Sequence, residues 1–141
     1  MAISRADTFT ANNKKQEYFS DFFDSFIATP FNKDLVLVKN EDAVKQSLKN
    51  LIKTSLTERL YQPNIGGNVL NSMFELISTV SLGSLQFNIE NTIKFNEPRV
   101  KLISLSVTET VDTNAVQIDI VFNLINNPTP ISLNFLLSKA R

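Results

Sequence analysis

Val116-Gln117-Ile118-Asp119-Ile120-Val121-Phe122-Asn123-Leu124 decides the fold. Val116, Ile118, Ile120, Phe122 and Leu124 alternate with Gln117, Asp119 and Asn123, the period-2 pattern of a strand with one buried and one wet face. Upstream, Ile103, Leu105 and Val107 alternate with Ser104, Ser106 and Thr108, and Asp112-Thr113-Asn114 supplies a hairpin turn. Downstream, Asn126-Asn127-Pro128-Thr129-Pro130 reads as a second turn. It leads into a last run in which Ile131, Leu133, Phe135 and Leu137 share a face. Three such runs in sequence predict an antiparallel meander.

Before Pro98 the apolar period is near 3.6. Asn40 can cap a helix with Glu41 and Asp42 in its first turn, where the helix dipole favours acids. Val44, Leu48, Leu51, Ile52 and Ser55 then fall on one face, with Lys45, Lys49 and Lys53 on another as a solvated row. Pro63-Asn64-Ile65-Gly66-Gly67 breaks the chain. No Gly-Lys-Ser/Thr follows, so the glycines read as a tight turn rather than a phosphate loop. Val69, Leu70, Met73, Phe74 and Ile77 mark a second helix, and Leu82, Leu85, Ile89 and Ile93 a third. Phe87 lies off that stripe, near Asn91 and Lys94; an exposed phenylalanine there reads either as the cover of a loop or as an assembly contact.

Earlier still, Phe19, Phe22, Phe23 and Phe26 fit a helical stripe as well as strand alternation. Turn chemistry at Thr29-Pro30-Phe31-Asn32-Lys33 and the β-rich Leu35-Val36-Leu37-Val38 favour a hairpin. The polar residues before Tyr18 read as a frayed terminus or as an arm that orders on a partner. The chain is therefore expected to divide into a flexible arm, 1–18, and one domain, 19–141. Helices first and strands after predict an α+β fold, with amphipathic helices on one face of a small antiparallel sheet.

Composition restricts the chemistry. The 141 residues contain no cysteine and no histidine. That removes disulfides, thiolate metal sites, Ser-His and Cys-His catalysis and the usual proton shuttle. Fourteen basic residues balance fourteen acidic ones, which argues against a nucleic-acid binder. No apolar run approaches the ~20 residues of a membrane span, and the N-terminus lacks a signal-peptide stretch. A soluble, non-exported protein is expected, with no metal and no cofactor. Glu58, Glu75, Glu90 and Glu97 qualify as glycosidase carboxylates by type alone, each beside Arg, Lys or Asn rather than in an apolar pocket.

Three stretches carry a family resemblance: Glu41 through Leu51; Thr57-Glu58-Arg59-Leu60-Tyr61-Gln62-Pro63-Asn64-Ile65-Gly66-Gly67 on to Phe74-Glu75; and Asn96-Glu97-Pro98-Arg99-Val100. In this order they resemble the baseplate wedge proteins of contractile phage tails, with the type VI secretion baseplate component as a relative. Thr57, Asn64 and Ile65 depart from the family's common glycine, aspartate and aromatic, and these departures concern turn geometry. The resemblance implies a fold like the interlocking sheet domain of sheath subunits, and a structural, non-enzymatic subunit of the virion's tail baseplate that is assembled in the host cytoplasm. Implied partners are the core bundle of the large wedge proteins, the tail sheath protein and other inner-baseplate proteins, in a six-fold assembly of several copies. A type VI component is the nearest alternative, and a lysozyme-like peptidoglycan hydrolase using Glu58 or Glu97 is a more distant one.

Two sites follow. Pro98 ends a helix and starts a strand without costing a ladder bond, and Arg99 offers a planar five-donor fork. By residue type alone Glu97-Pro98-Arg99 reads as a local Glu97–Arg99 or Glu90–Arg99 brace; the resemblance makes it the contact to the core bundle. The second site is a sheet edge. Thr113 to Ser138 contains one charge, Asp119, so Ile131, Ser132, Leu133, Asn134 and Phe135 read either as an edge covered by a loop, the Phe-rich hairpin or the helices, or as an unprotected edge that accepts a strand from the sheath, the expectation adopted here.

Overall fold

The computed structural model describes residues 19–67, 69–72, 79–110 and 115–138. The expected arm at 1–18, the helix positions Met73, Phe74 and Ile77, and the Asp112-Thr113-Asn114 turn lie outside them. A short ribbon comes first: β1 (Ser20–Phe22) pairs antiparallel with β2 (Leu37–Lys39), with a bridge from Ala28 to Leu35 near the tip. The hairpin reading holds. Thr29 N–H bonds Asp34 O at 2.7 Å and closes the turn.

Helix α1 spans Glu41–Lys53 and buries Ala43, Val44, Leu48, Leu51 and Ile52. Two details differ from expectation. Asn40 occupies the N-cap position at φ 52 without a side-chain cap bond; its backbone N–H instead bonds Phe19 O at 2.7 Å, tying the helix start to the ribbon. Ser55 lies beyond the helix, because the chain turns extended at Thr54. The segment 54–67 folds back on the helix end through a Gly67 N–H bond to Thr54 O at 3.0 Å. Gly66 adopts φ +136, and a Cβ there would stand 2.6 Å from Thr54 O. Only glycine fits that turn without strain.

The short α2 (Val69–Ser72) follows, with Val69 fully buried, and then α3 (Thr79–Asn96), whose Leu85, Ile89 and Ile93 face the core. The sheet has the order β3-β4-β5, from β3 (Val100–Thr110), β4 (Ala115–Leu124) and β5 (Asn127–Ser138). β4 is central and sends Val116, Ile118, Ile120, Phe122 and Leu124 into the core, where they meet Val44, Leu48 and Ile52 of α1 and the α3 stripe. Ile131, Leu133, Phe135 and Leu137 complete that face from β5. The fold is thus α+β with the helices on one side of the antiparallel sheet, as the patterning predicts.

Two strand expectations need correction. The ladder skips Ile103: Leu102 pairs with Phe122 and Ser104 with Val121. That β-bulge shifts the phase by one residue. Val100, Leu102, Leu105 and Val107 therefore turn toward the core while Ile103 is 53% exposed. Pro128 and Pro130 are not turn residues. The turn is Ile125–Asn126, and both prolines lie in the first part of β5, where the register slips between Phe122↔Ile131 and Leu124↔Asn127. A slipped segment makes few ladder bonds, so a missing N–H costs little there.

Candidate functional site

The junction between α3 and β3 is a closed ionic cluster. Glu97 follows the last turn of α3, its N–H bonding Ile93 O at 2.9 Å, and Pro98 stops the helix there. Glu97 is 5% exposed. Arg99 grips it with two donors, Nε to Oε1 at 2.6 Å and Nη2 to Oε2 at 2.8 Å. Ser47 of α1 donates to Oε2 at 2.7 Å and accepts from Arg99 Nη2 at 3.2 Å. The guanidinium carbon lies 5.4 Å from the centre of the Phe19 ring, within cation–π range. Four segments of chain (the ribbon entry, α1, the end of α3 and the start of β3) thus meet at one guanidinium.

The electrostatics follow from that geometry. Burial pushes the Glu97 carboxyl upward, but the bonds from Arg99 and Ser47 and the Arg99 charge outweigh it and hold the group below the usual carboxylate range. The Glu97 hydrogen bond likewise raises Arg99, against its own partial burial, with Asp21 adding a smaller favourable charge. Glu97 is an ionised, spent carboxylate. Glu90 is exposed and takes no part. What the junction presents outward is Pro98 and the 37% of the Arg99 side chain that remains exposed.

The sheet-edge residues are arranged as their alternation requires. Ile131 is buried, Leu133 and Phe135 are half-buried, and Ser132 and Asn134 are exposed on the opposite face. β5 is a terminal strand, as is β3, but the two edges differ. Gln86 of α3 donates to Leu105 O at 3.0 Å, so that carbonyl points away from β4 and is already bonded. Alternation along the ladder then fixes the remaining strands. Ile120, opposite Leu105, directs its backbone groups toward Leu133, and the neighbouring pair Asp119↔Asn134 leaves the Asn134 N–H and C=O pointing outward from β5. Phe87, on α3 and 63% exposed, belongs to neither group.

Ser47 and Phe19 escape a reading by motif. Ser47 lies between Val44 and Leu48 on the inward side of α1, a weak signal for a polar group with a buried partner. Nothing in the sequence marks Phe19 from its aromatic neighbours.

A family model described as baseplate wedge protein gp25 matches residues 38–129, well over half of the chain and including the Glu97-Arg99 junction. The chain belongs to the gp25 baseplate wedge family. The baseplate wedge protein gp25 of Enterobacteria phage T4 is 27% identical over 101 residues, covering 72% of this chain and 76% of that protein. Solved structures share the fold at lower identity. A Geobacter sulfurreducens protein named for tail lysozymes superposes with a TM-score of 0.68 at 22% identity, covering 75% of this chain and 96% of its own. A chain of the anti-feeding prophage baseplate gives 0.61 at 20% identity, over 87% of both chains. A chain of the pyocin R2 baseplate, in the postcontracted state, gives 0.51 at 16%, over 77% of this chain and 95% of that one. This is a baseplate wedge protein of contractile tail systems.

Proposed function

We infer that this wedge protein works by templating rather than catalysis, seating on the core bundle of the large wedge proteins through the 97–99 junction and initiating the sheath through β5. The observation that carries the reading is the asymmetry of the sheet. β5 runs from Asn127 to Ser138 without a charged residue and turns the Asn134 backbone outward, whereas β3 carries Lys101 and Glu109 and has a carbonyl bonded by Gln86. An uncharged edge that no other described strand pairs receives an incoming strand through main-chain bonds, and alternate side chains set its register.

At the junction Glu97 is not itself the contact. It fixes the Arg99 fork so that its outer edge and Pro98 meet the partner as one rigid surface, other inner-baseplate proteins adding contacts around the six-fold ring. Assembly takes place in the host cytoplasm before the tail is complete. A hydrolase reading draws no support from Glu97, since a general acid needs a raised pKa and this carboxyl is lowered.

Asn134→Pro tests the edge. The substitution removes an outward N–H while leaving the ladder to β4, so the protein is expected to fold and enter baseplates that fail to grow sheaths. Normal sheaths on the folded variant would sink the assignment to β5.

A further inference from the structure

The outward side of β5 is not uniform along its length. Alternation repeats the outward orientation of the Asn134 backbone at Ser132, Leu136 and Ser138, whose partners on β4 are Val121, Gln117 and Ala115. Carried the other way, the same alternation reaches position 130. Beyond the slip Asn127 pairs with Leu124, so position 128 is outward again. Both of these residues are proline. Pro128 and Pro130 have no N–H, and Thr129 between them spends its own on Asn127 Oδ1 at 3.1 Å, its hydroxyl donating to the same oxygen. The segment 128–130 therefore offers a neighbouring strand no donor, and the proline rings stand where that strand's carbonyls need one. From Ser132 onward each outward position carries both an N–H and a C=O. The part of the edge that can be extended is Ser132–Ser138, about seven residues or ~20 Å of strand.

Prolines on an edge ordinarily protect it. Here they are confined to one end of β5 and leave the rest of its outward donors in place. Side chains mark the same stretch. Leu133 and Phe135 are half-buried on the helix side of the sheet, and Leu136 is 60% exposed on the other side, between Asn134 and Ser138. A strand laid along 132–138 brings one side chain beside each of the three. We propose that Pro128 and Pro130 are a register stop: the sheath strand received by β5 pairs with Ser132–Ser138 alone, and its residues beside Leu133, Phe135 and Leu136 are apolar. The inference rests on the assignment of sheath binding to β5 and adds the position and pattern of the strand. Slipping by one residue reverses every side chain of a strand, so the competing registers differ by two. The prolines exclude those that run toward the Ile125–Asn126 turn, because each such step trades a bonded pair for a position without a donor.

The test is a cryo-electron reconstruction of assembled particles, at a resolution that shows strand side chains, for the unchanged chain and for one carrying Pro128→Ser with Pro130→Thr. On the unchanged chain the foreign strand is expected to make ladder bonds from Ser132 to Ser138 and none at Pro130, with apolar residues beside Leu133, Phe135 and Leu136. In the double variant the ladder is expected to run on through position 130, or the strand to shift two residues toward the turn. Thermal unfolding of the purified variant checks that it is folded; if it is not, the unchanged chain decides alone. A ladder that continues past Pro130 in the unchanged chain overturns the proposal. So do charged residues beside Leu133, Phe135 and Leu136, or an unaltered ladder end in the folded variant. A foreign strand on β5 in another register sinks the register stop and leaves the sheath assignment standing, whereas an empty β5 edge in sheathed particles sinks both.

Discussion

Arg99→Ala is expected to destabilise the isolated protein, although arginine at a surface junction ordinarily contributes about 0–1 kcal/mol. The reason is its partner. Glu97 is 5% exposed and takes two of its three side-chain bonds from Arg99, leaving only the Ser47 hydroxyl after truncation. A buried charge stripped of its partner costs about 3–5 kcal/mol. Two effects limit that figure. Arg99 is 37% exposed, so water reaches part of the vacated space. Protonating Glu97 instead caps the ionic cost at about 3.7 kcal/mol at pH 7, from 1.36 kcal/mol per unit above a reference near 4.3. The expected loss is therefore about 2–4 kcal/mol, read by urea unfolding at pH 7. The pH dependence supplies the sharper check. In the native protein the Glu97 carboxyl is lowered, so its contribution is complete above the unfolded value and is lost as pH falls through the folded value. In Arg99→Ala burial is left nearly unopposed and the carboxyl rises, so the variant gains stability as pH falls from 7. The gap between the proteins should thus narrow between pH 7 and pH 4, and Glu97→Gln combined with Arg99→Ala should recover much of the loss. A penalty below about 0.5 kcal/mol, or one equal at pH 7 and pH 4, would refute the buried-pair account.

Leu48→Ala should cost about 2–5 kcal/mol by emptying a fully buried site, while Lys49→Ala should stay within about 0.5 kcal/mol; equal losses in chemical denaturation would mean the α1 faces are reversed. Gly66→Ala forces an L side chain into φ +136 against Thr54 O and should lower stability by about 1–3 kcal/mol or more, whereas Gly83→Ala, with open space at its Cβ on α3, should stabilise by up to about 1 kcal/mol. Deleting Ile103 removes the bulge residue and leaves Val100, Leu102, Leu105 and Val107 in simple alternation, so a folded protein is expected by circular dichroism. Deleting Val107 instead should cripple folding, and the opposite order of tolerance would disprove the bulge.

Much of the architecture could be read from periodicity. β4 is a central strand covered by helices on one face, and its alternation is correspondingly clean. The α1 stripe is equally plain because that helix buries one side only, whereas α3 also exposes Phe87 and Phe95 away from its Leu85-Ile89-Ile93 stripe. What periodicity does not carry is phase. Ile103, Leu105 and Val107 alternate perfectly, yet the bulge expels the first of them, since pairing with β4 and not local pattern decides which residue is skipped. The prolines of β5 mislead for a related reason: a slipped register accommodates residues that a regular ladder rejects. At the junction, residue types allowed both an internal brace and an outward contact. What completes the internal brace is Ser47 and Phe19, distant in sequence and unmarked by charge.

The inequality of the two sheet edges sets a valency. A sheet open on both sides behaves as a bifunctional monomer: each added strand leaves two reactive ends, and the product is a fibre of undefined length. Here α3 lies against β3, and Gln86 occupies a carbonyl that a strand on that side would need, while among the described residues no helix side chain bonds the β5 backbone in that way. On the function proposed for β5, the domain would be monofunctional, like an initiator in a living polymerisation. It would consume one incoming strand, in one direction, and the growing end would then belong to the newcomer and not to the template.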